Sequence, residues 1–274
     1  MSKVKTRSQQ DRREWSLIRE PNPHPGSWNM AVDDFLFRSL SDEPQTYLRF
    51  YRWARPTASL GYSQDIRKVL DVEYCQKQGI DIVRRMTGGK LVLHSREVTY
   101  SLCSSDSGTF TSTLADSYRL ISQALMRGLE KMGLRPSLAD APPVSYVKGN
   151  LPCFSYPARD EVEIDGKKVI GSAQKRTGSK FIQHGSIPLE EDDRLLEAVS
   201  LLEKDKNEVR MVSLSRALGK QVSFDRAVEY LTSGVSEFFN VRLTPKEFNA
   251  AERKLISEIE RERYANPGWT FGWG

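Results

Sequence analysis

Apolar positions along the chain fall into a few clear periods. After a polar, basic start, Trp28, Ala31, Val32, Phe35 and Leu36 recur at helical spacing, which predicts a helix capped by Ser27 with Asp33, Asp34 and Arg38 on its wet side. Thr46 to Trp53 is dense in aromatic and branched side chains and runs on to Pro56 and Gly61, as a strand entering a loop does. Asp71 to Gln78, stopped by Gly79, predicts a short helix, and Ile80 to Arg84, Leu91 to His94 and Val98 to Cys103 predict strands. Ser112 opens a long helix whose apolar face is Leu114, Tyr118, Ile121, Leu125, Leu129 and Met132, closed by Gly133.

Beyond that helix the spacing breaks. Arg135 to Arg159 is rich in proline and serine and long enough to be a functional loop rather than a simple connection. Glu161 to Ile164 and Lys167 to Ala173 flank Asp165-Gly166, a pair suited to the type I′ turn of a hairpin, and Lys180 to Ile187 is a third strand. Helices dominate after Asp192: Ser223 to Phe239, then one opened by Thr244-Pro245-Lys246-Glu247, which joins a capping box to proline at the first helical position. With no repeat and no strong linker, the expectation is an α+β fold, a mixed and largely antiparallel sheet with helices packed on one side. One domain spans 14–274, with 192–264 as its helical C-terminal segment and 1–13 as a flexible basic tail.

Composition narrows the class. None of the apolar runs in the 274 residues approaches the ~20 needed for a membrane helix, and the N-terminus lacks a secretory pattern, so the expected setting is the cytoplasm, with no membrane partner. Three widely spaced cysteines, Cys75, Cys103 and Cys153, form neither a disulfide framework nor the paired spacing of a metal site. A net charge of +5 favours an acidic partner, but the basic residues are dispersed without interleaved aromatics, so nucleic acid is not expected.

Candidate chemistry is sparse. Cys153, in Leu151-Pro152-Cys153-Phe154-Ser155-Tyr156-Pro157, lies outside any periodic segment, where a thiol near cations becomes a nucleophile; Cys75 and Cys103 occupy core positions. Arg84-Arg85-Met86-Thr87-Gly88-Gly89-Lys90 follows a strand, and its two glycines allow close backbone approach to a ligand, although a plain turn would use the same residues and the spacing is not that of a nucleotide phosphate loop. On the second hairpin strand Lys168, Ile170 and Ser172 share a face and Lys167 takes the other, so one lysine should point inward, though edge-strand lysines are more commonly exposed. His94 and His184 read as bases or as hydrogen-bonded core residues, with the core reading the simpler.

Together, Trp28-Asn29-Met30-Ala31-Val32-Asp33, Leu48-Arg49-Phe50-Tyr51-Arg52-Trp53, the RRMTGGK run, Lys168 in KVIGSA, and Gln183-His184-Gly185-Ser186 resemble the lipoate-protein ligase and octanoyltransferase family. The resemblance runs from about Trp15 to the aromatic ending at Tyr264 to Trp273. ATP-using members typically carry a third glycine where this chain has Lys90, and an asparagine-aspartate pair where it has Pro152-Cys153-Phe154. Cysteine, phenylalanine, then a proline and an acidic residue before the hairpin is similar to the octanoyltransferase branch that uses an acyl-cysteine. Ser95 departs from the aspartate that relatives often place after the histidine.

The resemblance implies a core like that of biotin ligases and class II tRNA synthetases, Cys153 as nucleophile and Lys168 at the reacting carbonyl. It also implies substrate contacts from Arg85, Thr87, Gly88, Gly89, His94, Gly171, Ser172, Ala173, His184 and Gly185. The donor would be octanoyl-acyl carrier protein, the acceptor a lipoyl-domain protein such as the glycine-cleavage H protein, and no cofactor would be needed. An ATP-dependent lipoate ligase and a non-catalytic carrier-binding protein are the alternatives.

Overall fold

The computed structural model describes residues 12–110, 113–140, 160–202 and 211–272. Strands in chain order are β1 (Arg13–Arg19), β2 (Thr46–Tyr51), β3 (Thr57–Leu60), β4 (Asp81–Arg84), β5 (Val92–His94), β6 (Glu97–Ser104), β7 (Ser137–Leu138), β8 (Val162–Ile164), β9 (Lys167–Thr177), β10 (Lys180–Pro188) and β11 (Val241–Pro245). Helices are α1 (Gly26–Ser39), α2 (Ile66–Val69), α3 (Val72–Gln78), α4 (Leu114–Lys131), α5 (Asp193–Val199), α6 (Leu214–Leu218), α7 (Phe224–Phe239), α8 (Ala250–Ile259) and α9 (Pro267–Phe271), with one π-helical turn at Glu260–Tyr264.

Among the described residues the strands form a large sheet in the order β11-β1-β2-β6-β10-β9-β8-β7 and a small one in the order β4-β3-β5. Only the β11-β1-β2 edge and the β3-β4 pair are parallel; every other pairing is antiparallel, so the mixed, largely antiparallel expectation holds. The Asp165-Gly166 hairpin forms as expected, with φ of 51° and 72° at the two turn residues.

Helices on one side of the sheet is the expectation that fails. Leu48, Phe50, Val98, Tyr100 and Leu102 face α4 and α7, while Tyr47, Tyr51 and Cys103 on the opposite face join α1 and α8. Every residue of β2 and β6 is buried as a result, polar ones such as Arg49, Glu97, Thr99 and Ser101 included. Enclosure also corrects the wet face assigned to α1: Asp33 and Asp34 are buried, the first against the sheet and the second between Arg38 and Arg263, each at 2.8 Å.

Local corrections have local causes. Pro25, not Ser27, precedes α1, and Ser27 Oγ instead donates to Glu260 at 2.6 Å. Thr113 caps α4 by accepting from Asp116 N at 3.1 Å, while Ser112 lies outside the described residues. Thr244-Pro245 does not open a helix: Pro245 ends edge strand β11, where its missing N–H is tolerated, and the capping box sits at Asn249 and Glu252. Arg13, assigned to the tail, begins β1.

Candidate active site

Backbone geometry gathers the motifs around one space. The turn after β4, the end of β2, and the centres of β6, β9 and β10 converge over Met30 of α1 around a cleft that opens to solvent. Gly89 is exposed and Ser172 and Ala173 are half-buried, and together they form its mouth, whereas Met30, Tyr51 and Trp53 are buried and form its floor. Two glycines are required by this shape. Gly89 has φ +94°, and a Cβ on Gly185 would lie 2.6 Å from the Gly171 carbonyl oxygen and 2.7 Å from the Tyr100 ring.

Of the residues singled out from sequence, Arg85, Gly89, His94, Gly171, Ser172, Ala173, His184 and Gly185 line this cavity together. Thr87 is buried behind His184, and Gly88 is exposed beside the mouth. Lys168 is not part of the lining. It faces inward, 1% exposed, with its ammonium on Glu161 at 2.7 and 2.8 Å, so the more common exposed edge-strand placement does not apply. Cys153 lies outside the described residues. Sequence reasoning set Asp33 on the wet face of α1, named the floor residues and Arg49 only within motifs that carry the family resemblance, and gave no role to Glu97 or Glu161.

Those charges organise the site. Arg49 is fully buried on β2 and donates to Asp33 at 2.8 Å, to Glu20 at 2.5 Å and to the Asn29 carbonyl at 3.0 Å. Asn29 and Asp33 are four residues apart on α1 and therefore present one face to that guanidinium. Asp33 also accepts from Ser101 at 2.8 Å, from Tyr51 at 3.2 Å and from His184 Nδ1 at 3.0 Å. Burial alone would raise the Asp33 carboxyl, but Arg49 and the His184 and Ser101 donors hold it below its ordinary range.

Burial also pushes the His184 imidazole down, against the pull of Asp33, and so favours the neutral ring. Because a carboxylate can only accept, Nδ1 carries the hydrogen and Nε2 accepts from Thr87 Oγ1 at 2.7 Å. His94 has parallel wiring. Its Nδ1 donates to Glu97 at 2.8 Å, its Nε2 accepts from Ser59 at 2.7 Å, and its ring stacks on Trp53 at 4.1 Å and 11°. Arg85 then bonds Ser59 Oγ at 2.7 Å and the Gly88 and Lys90 carbonyls at 3.0 Å each, tying the glycine turn to this chain of contacts. Arg84 has a structural task, holding the carbonyls of Gln64 at 2.7 Å and Thr270 at 2.9 Å.

The cavity therefore combines fixed walls, an apolar floor and a mouth made of glycine, serine and alanine. Both histidines have their ring nitrogens committed inside the protein, which suits them to shaping a ligand space. Among the described residues no cluster of histidine, cysteine or acidic side chains could hold a metal ion.

Comparison with known proteins places this arrangement. Octanoyltransferase LipM of Kyrpidia tusciae is 37% identical over 272 residues, covering 94% of this chain and 98% of that protein. LipM of Carboxydothermus hydrogenoformans is 35% identical, covering 90% and 94%. LipM of Bacillus subtilis is 32% identical, covering 94% and 98%. In fold, the chain superimposes on a lipoate-protein ligase A bound with ATP at a TM-score of 0.83 and 23% identity, covering 95% of this chain and all of that one. A bi-partite lipoate protein ligase from Thermoplasma acidophilum gives 0.78 and 22%, covering 96% and 98%. Residues 25–236, which carry α1, the glycine turn and the β9-β10 hairpin, match the model of the lipoyl protein ligase A/B catalytic domain, and the chain belongs to that family.

Proposed function

We propose that this protein is an octanoyltransferase of protein lipoylation that works through a thioester on Cys153. The observation that carries the reading is the largely apolar cleft with its mouth at the glycine turn and the Gly171-Ser172-Ala173 strand, in a chain similar over nearly its whole length to octanoyltransferases. The reading places the tail of the eight-carbon chain on the floor and its carbonyl at the mouth.

In the first step the Cys153 thiolate attacks the thioester carbonyl of octanoyl-acyl carrier protein and the carrier thiolate leaves. In the second, a deprotonated lysine amine of a lipoyl-domain protein, with the glycine-cleavage H protein as expected acceptor, attacks the acyl-cysteine; the thiolate leaves and the amide forms. Thioester exchange is nearly isoenergetic and aminolysis runs downhill, so no ATP is consumed. Cys153 divides one protein-to-protein transfer into two easier ones. We assign to Lys168, which stands outside the lining on the same strand as Gly171-Ser172-Ala173, the cation that stabilises the carbonyl oxygen as it becomes tetrahedral, and to Arg85, Thr87, Gly88, Gly89, His94, Gly171, Ser172, Ala173, His184 and Gly185 the forming or support of the acyl site.

The other two thiols are poor candidates. Burial, with nearby Asp71, pushes Cys75 up to about 11, and burial holds Cys103 well above its ordinary range. No helix among the described residues is long and apolar enough to cross a membrane. The reading takes the chain from Arg13 onward as one catalytic unit and keeps the cytoplasmic setting expected from the sequence. The test is to mix purified protein with octanoyl-carrier in the absence of ATP and weigh the intact product. A single octanoyl adduct, released by hydroxylamine and absent in Cys153→Ala, is expected; an adduct that persists in the variant, or an acyl-adenylate formed only with ATP, rejects the acyl-cysteine route.

A further inference from the structure

One pair of buried charges lies outside the cavity lining. Glu161 engages the Lys168 ammonium with both carboxylate oxygens, at 2.8 and 2.7 Å, and Tyr118 Oη donates to Glu161 Oε1 at 3.4 Å. Lys168 is 1% and Glu161 3% exposed. The main chain at Lys168 is held as well, since its carbonyl accepts from Val212 N at 2.9 Å.

The choice of partner is specific. In the ladder Lys168 stands opposite Glu163, but the register shifts between Val162 and Glu163; Glu163 bonds Ser137 at an exposed position, and the lysine takes Glu161. A buried ion pair gains little over an apolar pair of similar volume, so stability alone gives no reason to keep two charges here. A buried ammonium without a counter-charge, by contrast, tends to lose its proton.

We propose that Glu161 is a positioning residue for acyl transfer: its carboxylate keeps the Lys168 ammonium charged and aimed, and acts on the reaction only through that lysine. The inference rests on the reading that Lys168 serves the reacting carbonyl. Its signature is a loss of turnover without loss of substrate binding, recovered by a shorter carboxylate and absent when the lysine is absent.

The experiment uses the full chain, preloaded with octanoyl on Cys153, and follows single-turnover transfer to a lipoyl domain at a series of acceptor concentrations. Glu161→Gln should slow the maximal rate about a hundredfold, the scale for losing a preorganised donor, with the half-saturating acceptor concentration unchanged. Glu161→Asp should restore most of that rate, and Glu163→Gln should match the wild type. In a Lys168→Met background, Glu161→Gln should cause no further loss, as expected for two residues acting as a unit.

Melting temperatures accompany each rate. If the double variant does not fold, Lys168→Met with Glu161→Leu removes both charges and leaves no orphan. A fast Glu161→Gln, an additive loss in the Lys168→Met background, or a loss that appears only in the half-saturating concentration overturns the proposal. A fast Lys168→Met rejects the role of the lysine itself and this proposal with it, whereas a slow Lys168→Met beside a fast Glu161→Gln rejects Glu161 alone.

Discussion

Asp33 accepts the Nδ1 hydrogen of His184 at 3.0 Å although 151 residues separate them, and the contact joins α1 to β10 directly beneath the cavity. The pair settles which tautomer His184 adopts and directs its other nitrogen to Thr87, so the ring is a wall held in one orientation.

Burial of His184, which outweighs the opposing pull of Asp33, predicts a pH dependence of stability. His184 is lowered from an ordinary 6.5, so below that value the unfolded chain binds a proton that the folded chain resists, and stability falls as pH drops. Above 6.5 its contribution is complete. His24, lowered by partial burial, adds to the slope, and Asp33 adds a separate loss only below its ordinary 3.8. Urea midpoints of wild type and His184→Gln between pH 7.5 and 5 should diverge in slope, with the variant flatter; parallel curves would show that His184 does not titrate in this window.

Arg49 carries the heaviest structural load near the site. Arg49→Met leaves Asp33 buried without its principal cation, and breaking one side of such a pair typically costs about 3–5 kcal/mol. Arg49→Lys should recover little, because one ammonium cannot span Asp33, Glu20 and Asn29 at once. Chemical denaturation of the three proteins measures this, and a loss below about 1 kcal/mol in Arg49→Met, at the scale of an exposed pair, would contradict it.

Two glycine substitutions should separate site from scaffold. Gly185→Ala forces its new methyl against the Gly171 carbonyl and the Tyr100 ring, and overpacking of this kind costs about 1–3 kcal/mol. It also displaces the strand at the cavity mouth, so transfer should fall at least as much as stability. Gly166→Ala meets open space but sits at φ +72°, costing about 1–2 kcal/mol with transfer unchanged once the protein is folded. Melting curves and octanoyl-transfer rates on both variants decide this; normal transfer in Gly185→Ala would mean the mouth tolerates the shift.

Thiol labelling tests the division among the cysteines. With Cys75 pushed up to about 11 and Cys103 held well above its ordinary range by burial, native protein at pH 7.5 should take up one alkyl group from iodoacetamide quickly, and Cys153→Ala none on that timescale. Intact mass against time gives the count. Rapid uptake in the variant would identify Cys75 or Cys103 as accessible.

Much of the fold was legible from local pattern. The long helix over Leu114 and Leu129, the Asp165-Gly166 hairpin and the Gly79 stop depend on periodicity, turn chemistry and a left-handed φ, all of which short stretches of sequence encode. The glycine turn and the Gly171-Ser172-Ala173 strand were recognisable as candidates for the same reason: they are contiguous motifs, and the structure brings most of their residues to one cavity.

Only the tertiary structure decided what surrounds them. Asp33 looked like a solvated helix residue until β2 placed Arg49 opposite it, and Lys168 looked like an edge-strand charge until a register shift set Glu161 on its ammonium. Pro245 read as a helix start, and it ended a strand because β1 was there to pair with it. The physical reason is common to all three. Local preferences are worth up to about 0.7 kcal/mol for an ordinary residue and about 3 kcal/mol for a misplaced proline, while burying a charge without a partner costs several, so partners brought together across the chain, which no local window contains, determine the outcome.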